Sequence, residues 1–398
     1  MNSRKLVIYF PFEQTQSWQA GSWLRLRGYT QGLNEIIPDY VYYGYGIPNE
    51  WNSPMFVPCT IHRRWRKIMA LHNVLYCGKY FRLLAIVLKV LIEKFSHVKE
   101  IDKLGKDVLF YSHQDSFLAM YLHLTRQIPF VYDIHGIYAV QKEYAINYNW
   151  WMKLWFQLYI RHEEIVLNKA PYLNVVSKEM EEYIRSHYKV TGGILIAPDG
   201  IPAELQTYDS TSPISLEKYK VNGQKIILFA GSCKPMGGAR QLVEAFMHST
   251  ELQRKAKLLL ITTETRYLDG IETDAHVILL PSMLHSELIG WMKAADVIVC
   301  PDNEDNEYNQ ICPHIKFYDA LATGTPVVAT DLSVNRNVVG DMNYPIFYFT
   351  KQGKTLEQAL LEAIDSKHQS VDNGISQLTY SYQMKQYWTK NKDLLLNR

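Results

Sequence analysis

Lys316 and Asp319 stand three residues apart at the start of a segment whose pattern predicts a helix over residues 315–322. This spacing puts both side chains on one face of the helix. A cation beside the free N–H groups of a helix start can hold a diphosphate, and a carboxylate there can accept hydrogen bonds from ribose hydroxyls. An ordinary helix with a surface Lys–Asp pair has the same spacing, so the pair alone leaves both interpretations open.

A glycine-bearing turn follows the apolar run of residues 226–230 and contains Gly231, Ser232, Lys234 and Gly238. Glycine lets the backbone turn tightly and approach a phosphate, and Lys234 would add a positive charge. Any tight turn between a strand and a helix can carry such glycines, so this feature by itself is a weak indication of phosphate binding.

His135 follows the apolar run of residues 130–132 and precedes Gly136. In a parallel sheet this position is the carboxyl end of a strand, where ligands bind. A single histidine is also a common structural residue, so its position allows either a ligand contact or a packing role.

The elements that must position these residues follow from short apolar runs that alternate with amphipathic stretches, a pattern typical of βα units around parallel sheets. Strands are expected at residues 6–10, 108–111, 130–132, 173–176 and 194–196, then at 226–230, 258–261, 277–280, 297–300, 327–329 and 346–349. Helices are expected at residues 116–124, 151–167, 178–187, 240–248, 286–293, 315–322 and 378–396. The polar stretch 206–213 is the expected linker between two doubly wound α/β domains.

Composition narrows the function classes. The 398 residues carry a net charge of +2, which argues against a dedicated nucleic-acid binder. The five cysteines are scattered without a CxxC pair, so neither a disulfide framework nor a zinc site is expected, and a reducing compartment is the simpler interpretation. Residues 62–95 join a basic cluster to an apolar stretch, and they either contact an anionic membrane surface or form a buried helix with a solvated end.

The string HIKFYDALATGTPVVAT, residues 314–330, resembles the donor-site segment of retaining GT-B glycosyltransferases, family 4 in particular. The family pattern is P-x-K-x-x-E-Y-x-A-x-G-x-P-V-V. Lys316 falls on its lysine and Asp319 on its glutamate, while Gly324 and Pro326 match directly. The shorter Asp319 and a proline one residue further from the lysine, Pro313, are departures from the pattern.

Other segments resemble the same family in the same order. Residues 229–246 are similar to the strand, glycine-rich turn and helix that face the diphosphate, and residues 276–300 to the unit beside the base. The resemblance implies that Pro281, Ser282 and Met283 lie near the base and that His135 hydrogen-bonds the donor sugar. It also implies that Gly21, after the first strand, lies near the phosphates or the acceptor.

The resemblance implies a GT-B fold, with two Rossmann-like domains facing across a cleft. An acceptor domain is expected at residues 1–204 and a donor domain at 205–377, and a helix near 378–398 is expected to pack back on the first domain. The donor would be a UDP- or GDP-sugar, used as substrate without cofactor or metal. The acceptor would be a glycan or lipid-linked molecule of bacterial surface polysaccharide assembly, with the enzyme in the cytoplasm and in peripheral contact with the membrane through residues 62–95.

Catalysis in this family depends on electrostatic stabilisation of the departing diphosphate, which the resemblance assigns here to Lys316 and the glycine turn. A carboxylate normally faces the sugar eight residues before the second acidic position, but that place holds Ile311. Glu307 is the nearest carboxylate upstream and is our candidate, with Asn309 as its competitor and a polar surface loop as the alternative.

Two other functions remain open at this stage. A nucleotide-sugar epimerase can be built on the same architecture, because fold alone does not fix the reaction. A non-catalytic binding subunit is the second alternative, because Gly237 stands where the family usually has a lysine.

Overall fold

The structure is a computed structural model that describes residues 4–10, 25–26, 28, 30, 33, 36–37, 40–44, 56–58, 101–113, 117–141, 150–202, 216–220, 223–262, 265–270, 275–366 and 373–397. The chain divides into two compact units. Unit 1 comprises Met1–Pro198 together with Met384–Arg398, and unit 2 is Asp199–Gln383. Gly21 and residues 62–95 lie outside the described residues.

Unit 1 contains a seven-stranded, all-parallel sheet in the order β3-β2-β1-β4-β5-β6-β7. Its strands are β1 Lys5–Phe10, β2 Val41–Gly44, β3 Phe56–Pro58, β4 Val108–His113, β5 Phe130–Asp133, β6 Tyr172–Val175 and β7 Gly193–Ile196. Its helices are α1 Phe117–Arg126, α2 Trp150–Lys169 and α3 Lys178–His187. Every residue of β4 and β5 is buried, as both faces of a parallel sheet require.

The last described helix, which we number α11 (Tyr380–Leu396), completes the core of unit 1. Trp388 is fully buried among the side chains of β1 and β4. The hydroxyl of Tyr387 donates to Oδ1 of Asn174 on β6 at 2.7 Å. The end of the chain therefore packs into the first unit.

Unit 2 contains a six-stranded, all-parallel sheet in the order β10-β9-β8-β11-β12-β13. Its strands are β8 Lys225–Ala230, β9 Ala256–Ile261, β10 Val277–Leu280, β11 Val297–Cys300, β12 Val327–Thr330 and β13 Ile346–Phe349. Its helices are α4 Ala239–His248, α5 Thr250–Lys255, α6 His285–Ala294, α7 Glu307–Ile311, α8 Ile315–Thr323, α9 Ser333–Val339 and α10 Leu356–Asp365.

The strand order of unit 2 reverses at β8. Strands β9 and β10 follow β8 on one side, whereas β11, β12 and β13 lie on the other. The segments after β8 and β11 therefore leave the same edge of the sheet in opposite directions. Ligands of open parallel sheets bind at such a point.

The division between the units falls a few residues before the boundary expected after residue 204. Ile201 forms a parallel bridge with Thr379, and the N–H of Tyr380 donates to the carbonyl of Ile201 at 3.0 Å. Ile201 is also fully buried in the core of unit 2. These contacts explain why the chain enters unit 2 after Pro198.

Within the described ranges, no helix is both long enough and apolar enough to cross a membrane.

Candidate functional site

The glycine turn after β8 needs its glycines for two different reasons. Gly231 has a φ of +146°, in the region that side chains rarely adopt, and a Cβ there would lie 3.8 Å from Cδ of Lys316. Gly238 has a φ of +66°, and a Cβ there would lie 1.5 Å from the carbonyl oxygen of Pro301. The turn therefore brings its backbone against the segment after β11 and next to Lys316.

Hydrogen bonds hold this turn to the segment after β11. The carbonyl of Met236 accepts the N–H of Asn303 at 3.0 Å and Nδ2 of Asn309 at 2.8 Å. Asn309 is buried and also donates to the carbonyl of Asn303 at 2.9 Å. Its amide nitrogen is thus used to join two loops, which gives Asn309 a structural role.

The absence of a side chain at position 237, where the family usually has a lysine, also has a steric cause. A Cβ on Gly237 would lie 2.6 Å from the carbonyl oxygen of Ser232, closer than any relaxed contact. The hydroxyl of Ser232 accepts the N–H of Lys234 at 3.2 Å. This form of the turn excludes a side chain at 237, and the lysine within the turn is Lys234.

Lys316 lies in the first turn of α8 and is paired. Its Nζ is 2.5 Å from Oδ1 of Asp302 and 5.6 Å from the ring centre of Phe229 on β8. Nδ1 of His314 lies 3.0 Å from the same Asp302 oxygen. Lys316, the candidate phosphate-binding residue, therefore belongs to a cluster in which its ammonium group and the His314 ring both contact the Asp302 carboxylate.

Asp302 comes two residues after the end of β11, and its side chain is only 2% exposed. Burial alone would raise the pKa of Asp302, but the charges of His314 and Lys316 outweigh it and hold the pKa well below its usual range. The carboxylate is thus ionised at neutral pH. Asp302 was not identified from the sequence, although its position after β11 at the sheet reversal was a usable signal.

Asp319, the other half of the predicted pair, bonds with a histidine that sequence reasoning missed. Its Oδ2 lies 3.0 Å from Nε2 of His285, the first residue of α6. Its Oδ1 is buried and has no hydrogen-bond partner within the described residues. An unsatisfied buried acceptor is costly, so this atom is suited to a hydroxyl donor of a ligand.

The loop between β10 and α6 contains the residues predicted to lie beside a base. Pro281 and Ser282 are exposed and Met283 is half-buried. The loop ends at His285, so the bond from His285 to Asp319 connects the predicted base side of the site to the predicted ribose side.

Glu307, the candidate sugar-facing acid, is exposed at the first position of the five-residue helix α7. Ile311 is buried at the end of this helix, as its type requires. Glu307 forms no salt bridge with Lys316 within the described residues, so its role stays a prediction.

In unit 1, His135 lies just beyond β5 in a buried polar cluster. Arg25 contacts both oxygens of Asp133, with Nη2–Oδ1 at 2.8 Å and Nε–Oδ2 at 3.1 Å. Nδ1 of His113 is 2.7 Å from Oδ2 of Asp133. Nε2 of His135 lies 3.5 Å from that oxygen and 3.4 Å from Nδ1 of His113.

The charges in this cluster favour a hydrogen-bond network. Burial, and then the proximity of His135, lower the pKa of His113 to about 4, so its ring is neutral at pH 7. Burial would raise the pKa of Asp133, but Arg25 and both histidines hold it well below its usual range.

One ligand atom from each of His113, Asp133 and His135 lies within 4.8 Å of the others, as a metal site requires. However, the Arg25 guanidinium already neutralises the carboxylate, which opposes a second cation.

A buried glutamate on α2 supports the turn after His135. Oε2 of Glu163 accepts the N–H of Tyr138 at 2.7 Å, and the N–H of Ala139 also bonds to this side chain. Burial raises the pKa of Glu163 to about 8. Nothing in the sequence indicated this residue, because it lies 25 positions from Tyr138.

Two family models match the chain. The model described as "Glycosyltransferase Family 4" matches residues 60–205, and the model described as "Glycosyl transferases group 1" matches residues 224–366. Each thus falls almost entirely on one of the two units.

Among curated proteins, the D-inositol 3-phosphate glycosyltransferase of Xylanimonas cellulosilytica is 26% identical over 198 residues, which is 46% of this chain and 45% of the relative. The first curated relatives are matched over less than half of their length, 32% and 45%.

Solved structures match over nearly the whole chain. Sucrose-phosphate synthase from Thermosynechococcus elongatus has a TM-score of 0.61 at 14% identity, covering 99% of this chain and 95% of that one. WaaG, a glycosyltransferase involved in lipopolysaccharide biosynthesis, has a TM-score of 0.59 at 13% identity, covering 99% and 100%. At such identities the likeness shows the fold, which is the two-domain GT-B fold.

Proposed function

Because the chain belongs to the group 1 and family 4 glycosyltransferases, we propose that it transfers a sugar from a UDP- or GDP-sugar to a glycan or lipid-linked acceptor, with retention of the anomeric configuration. The observation that carries the proposal is the position of Lys316 beside Gly231 at the sheet reversal of unit 2. A glycine-lined helix start with an adjacent ammonium group is suited to a diphosphate.

The reaction builds negative charge on the departing nucleoside diphosphate, and donors fixed in place before the reaction lower its barrier. In our proposal Lys316 and the N–H groups of the turn at 231–238 stabilise that charge. Asp319, through its buried Oδ1, accepts a ribose hydroxyl. The loop of Pro281, Ser282 and Met283 contacts the base.

In unit 1, His135 hydrogen-bonds the donor sugar in the proposed reaction. The ionised Asp133 can only accept, so both His113 and His135 turn an N–H toward it. This fixes the orientation of the His135 ring. Glu307 remains our candidate for the acid that faces the sugar, and the scheme uses neither a cofactor nor a metal ion.

We propose an acceptor from bacterial surface polysaccharide or lipid-linked oligosaccharide assembly, with peripheral contact at the inner face of the membrane. In addition to residues 62–95, helix α2 supports such contact by exposing Trp150, Leu154, Leu158 and Ile165. Sedimentation with vesicles of anionic and of neutral phospholipid tests this: the proposal requires anionic vesicles to bind more protein, and equal recovery from both would refute it.

Calorimetry with UDP and with GDP tests the core proposal, since the protein should bind one of them. Lys316→Ala should then lower turnover by at least ~10²-fold, as loss of one oxyanion-hole donor does. Lys225→Ala is the matched control, because Lys225 forms an exposed pair with Asp296 at the opposite end of β8. Near-normal activity of Lys316→Ala would refute the donor-site assignment.

Two assays separate the alternatives. Conversion of a nucleotide sugar without any acceptor would identify an epimerase-type enzyme. Binding of neither UDP nor GDP would favour a non-catalytic subunit.

A further inference from the structure

Asp302 is a buried carboxylate at the proposed donor site that the scheme above does not use. We propose that Asp302 positions Lys316 and, by its negative charge, weakens the binding of the nucleoside diphosphate, so that the product can leave. This inference rests on the proposed function.

Asp302 is fixed in place from both sides of its backbone. Its carbonyl accepts the hydroxyl of Thr330 on β12 at 2.6 Å. The carbonyl oxygen of the preceding residue, Pro301, lies so close to Gly238 that there is no room between them for a Cβ on Gly238. The backbone of Asp302 is therefore held in place, and its buried carboxylate lies beside Nζ of Lys316.

Lys316 gains a defined position from this contact. A free lysine loses much rotamer entropy when it is fixed. With Nζ held 2.5 Å from Oδ1 of Asp302, that entropy is already lost before a donor binds. A preorganised ammonium stabilises the charge on the leaving group more effectively than one that must first find its place.

The same contact opposes tight anion binding. The Lys316–Asp302 pair has no net charge, and a diphosphate that approaches Lys316 also approaches an ionised carboxylate. His314 lies against the same Asp302 oxygen and is the other titratable group of the cluster. Asp302 therefore raises the free energy of the bound nucleotide while keeping Lys316 in position for the transition state.

Asp302→Asn keeps the shape and removes the charge. The expected result is a UDP or GDP affinity ~10-fold higher, as removal of a charge near a phosphate predicts, together with a turnover ~10-fold lower. Asp302→Ser removes the charge with a smaller group and should give the same two changes. In a Lys316→Ala background the turnover loss from Asp302→Asn should disappear, because Asp302 acts on turnover through the lysine.

The matched control is Asp305→Asn, which removes an exposed carboxylate from the same loop, one that pairs with Lys351. Its affinity and turnover should equal those of the wild type. Thermal unfolding of each variant confirms that it is folded.

The outcomes separate the two proposals. Unchanged or weaker nucleotide binding in folded Asp302 variants would overturn this inference and leave the proposed function standing. Failure of the wild-type protein to bind either nucleotide would overturn both.

Discussion

Glu163 carries a carboxyl group that is buried on α2 and bonded to the N–H groups of Tyr138 and Ala139. Burial raises its pKa from 4.5 to about 8. Between these pH values the folded protein binds a proton that the unfolded chain releases. The stability that Glu163 contributes is therefore complete below pH 4.5 and is lost as the pH rises through about 8.

The size of this loss follows from the pKa shift. Each pKa unit is worth about 1.4 kcal/mol, so the loss at pH 7 is on the order of 3 kcal/mol. Glu163→Gln should remove it, because the amide oxygen can accept the Tyr138 N–H and the side chain never ionises. The NH2 group would take the place of the Oε1 atom, which has no hydrogen-bond partner within the described residues. The protonated carboxyl group of Glu163 can place its O–H at the position of Oε1, where the glutamine variant places its NH2 group. The amide of the variant therefore has the same shape as the neutral acid.

The assay is thermal unfolding at pH 5 and pH 8, with hydrogen exchange of residues 138–140 to report on unit 1. Glu163→Gln should match the wild type at pH 5 and unfold at a higher temperature at pH 8. Glu164→Gln is the control, because Glu164 forms a solvated pair with Arg161 at 3.2 Å. An equal difference from wild type at both pH values, or a less stable variant at pH 8, would show that the carboxyl is not held neutral.

Three further outcomes are expected. Gly238→Ala should abolish nucleotide binding and unfold at a much lower temperature than Gly223→Ala, since both positions have a positive φ but only Gly238 would place its Cβ against Pro301; equal melting temperatures would contradict this. Asp319→Asn should weaken UDP or GDP binding by ~10-fold and bind the 2′- and 3′-deoxynucleotides equally well, whereas retained discrimination would separate Asp319 from the ribose. The pKa of His113 is lowered to about 4, so the folded protein binds fewer protons than the unfolded chain below pH 6.5. Stability should therefore fall from pH 6.5 toward 4, and His113→Gln should flatten this dependence in acid unfolding measurements.

Most of the buried parallel strands could be predicted because their apolar runs are continuous and end at turn residues. The strands Val277–Leu280 and Val297–Cys300 have the bounds expected from the sequence. The short strands β2 and β3 were not predicted, since VYYG and FVP are too brief to distinguish from loop segments.

The site residues that could be predicted are those whose role depends on the neighbouring residues in the sequence. Gly231 and Gly238 are required by backbone conformation within one turn, which a sequence pattern records. The partners of Lys316 and Asp319 were missed. The cause is spacing: Asp302 lies 14 positions before Lys316 and His285 lies 34 before Asp319, and only the sheet order brings them together.

The position of α11 affects how the chain can fold while it is being synthesised. Trp388 and Tyr387 belong to the core of the first unit, yet they are translated after all of the second. At ~5–20 residues per second, unit 2 emerges from the ribosome over tens of seconds while unit 1 still lacks this helix. Unit 2 can therefore reach its native state first. During that interval, the apolar side chains of unit 1 that pack against α11 in the native structure are not covered by this helix.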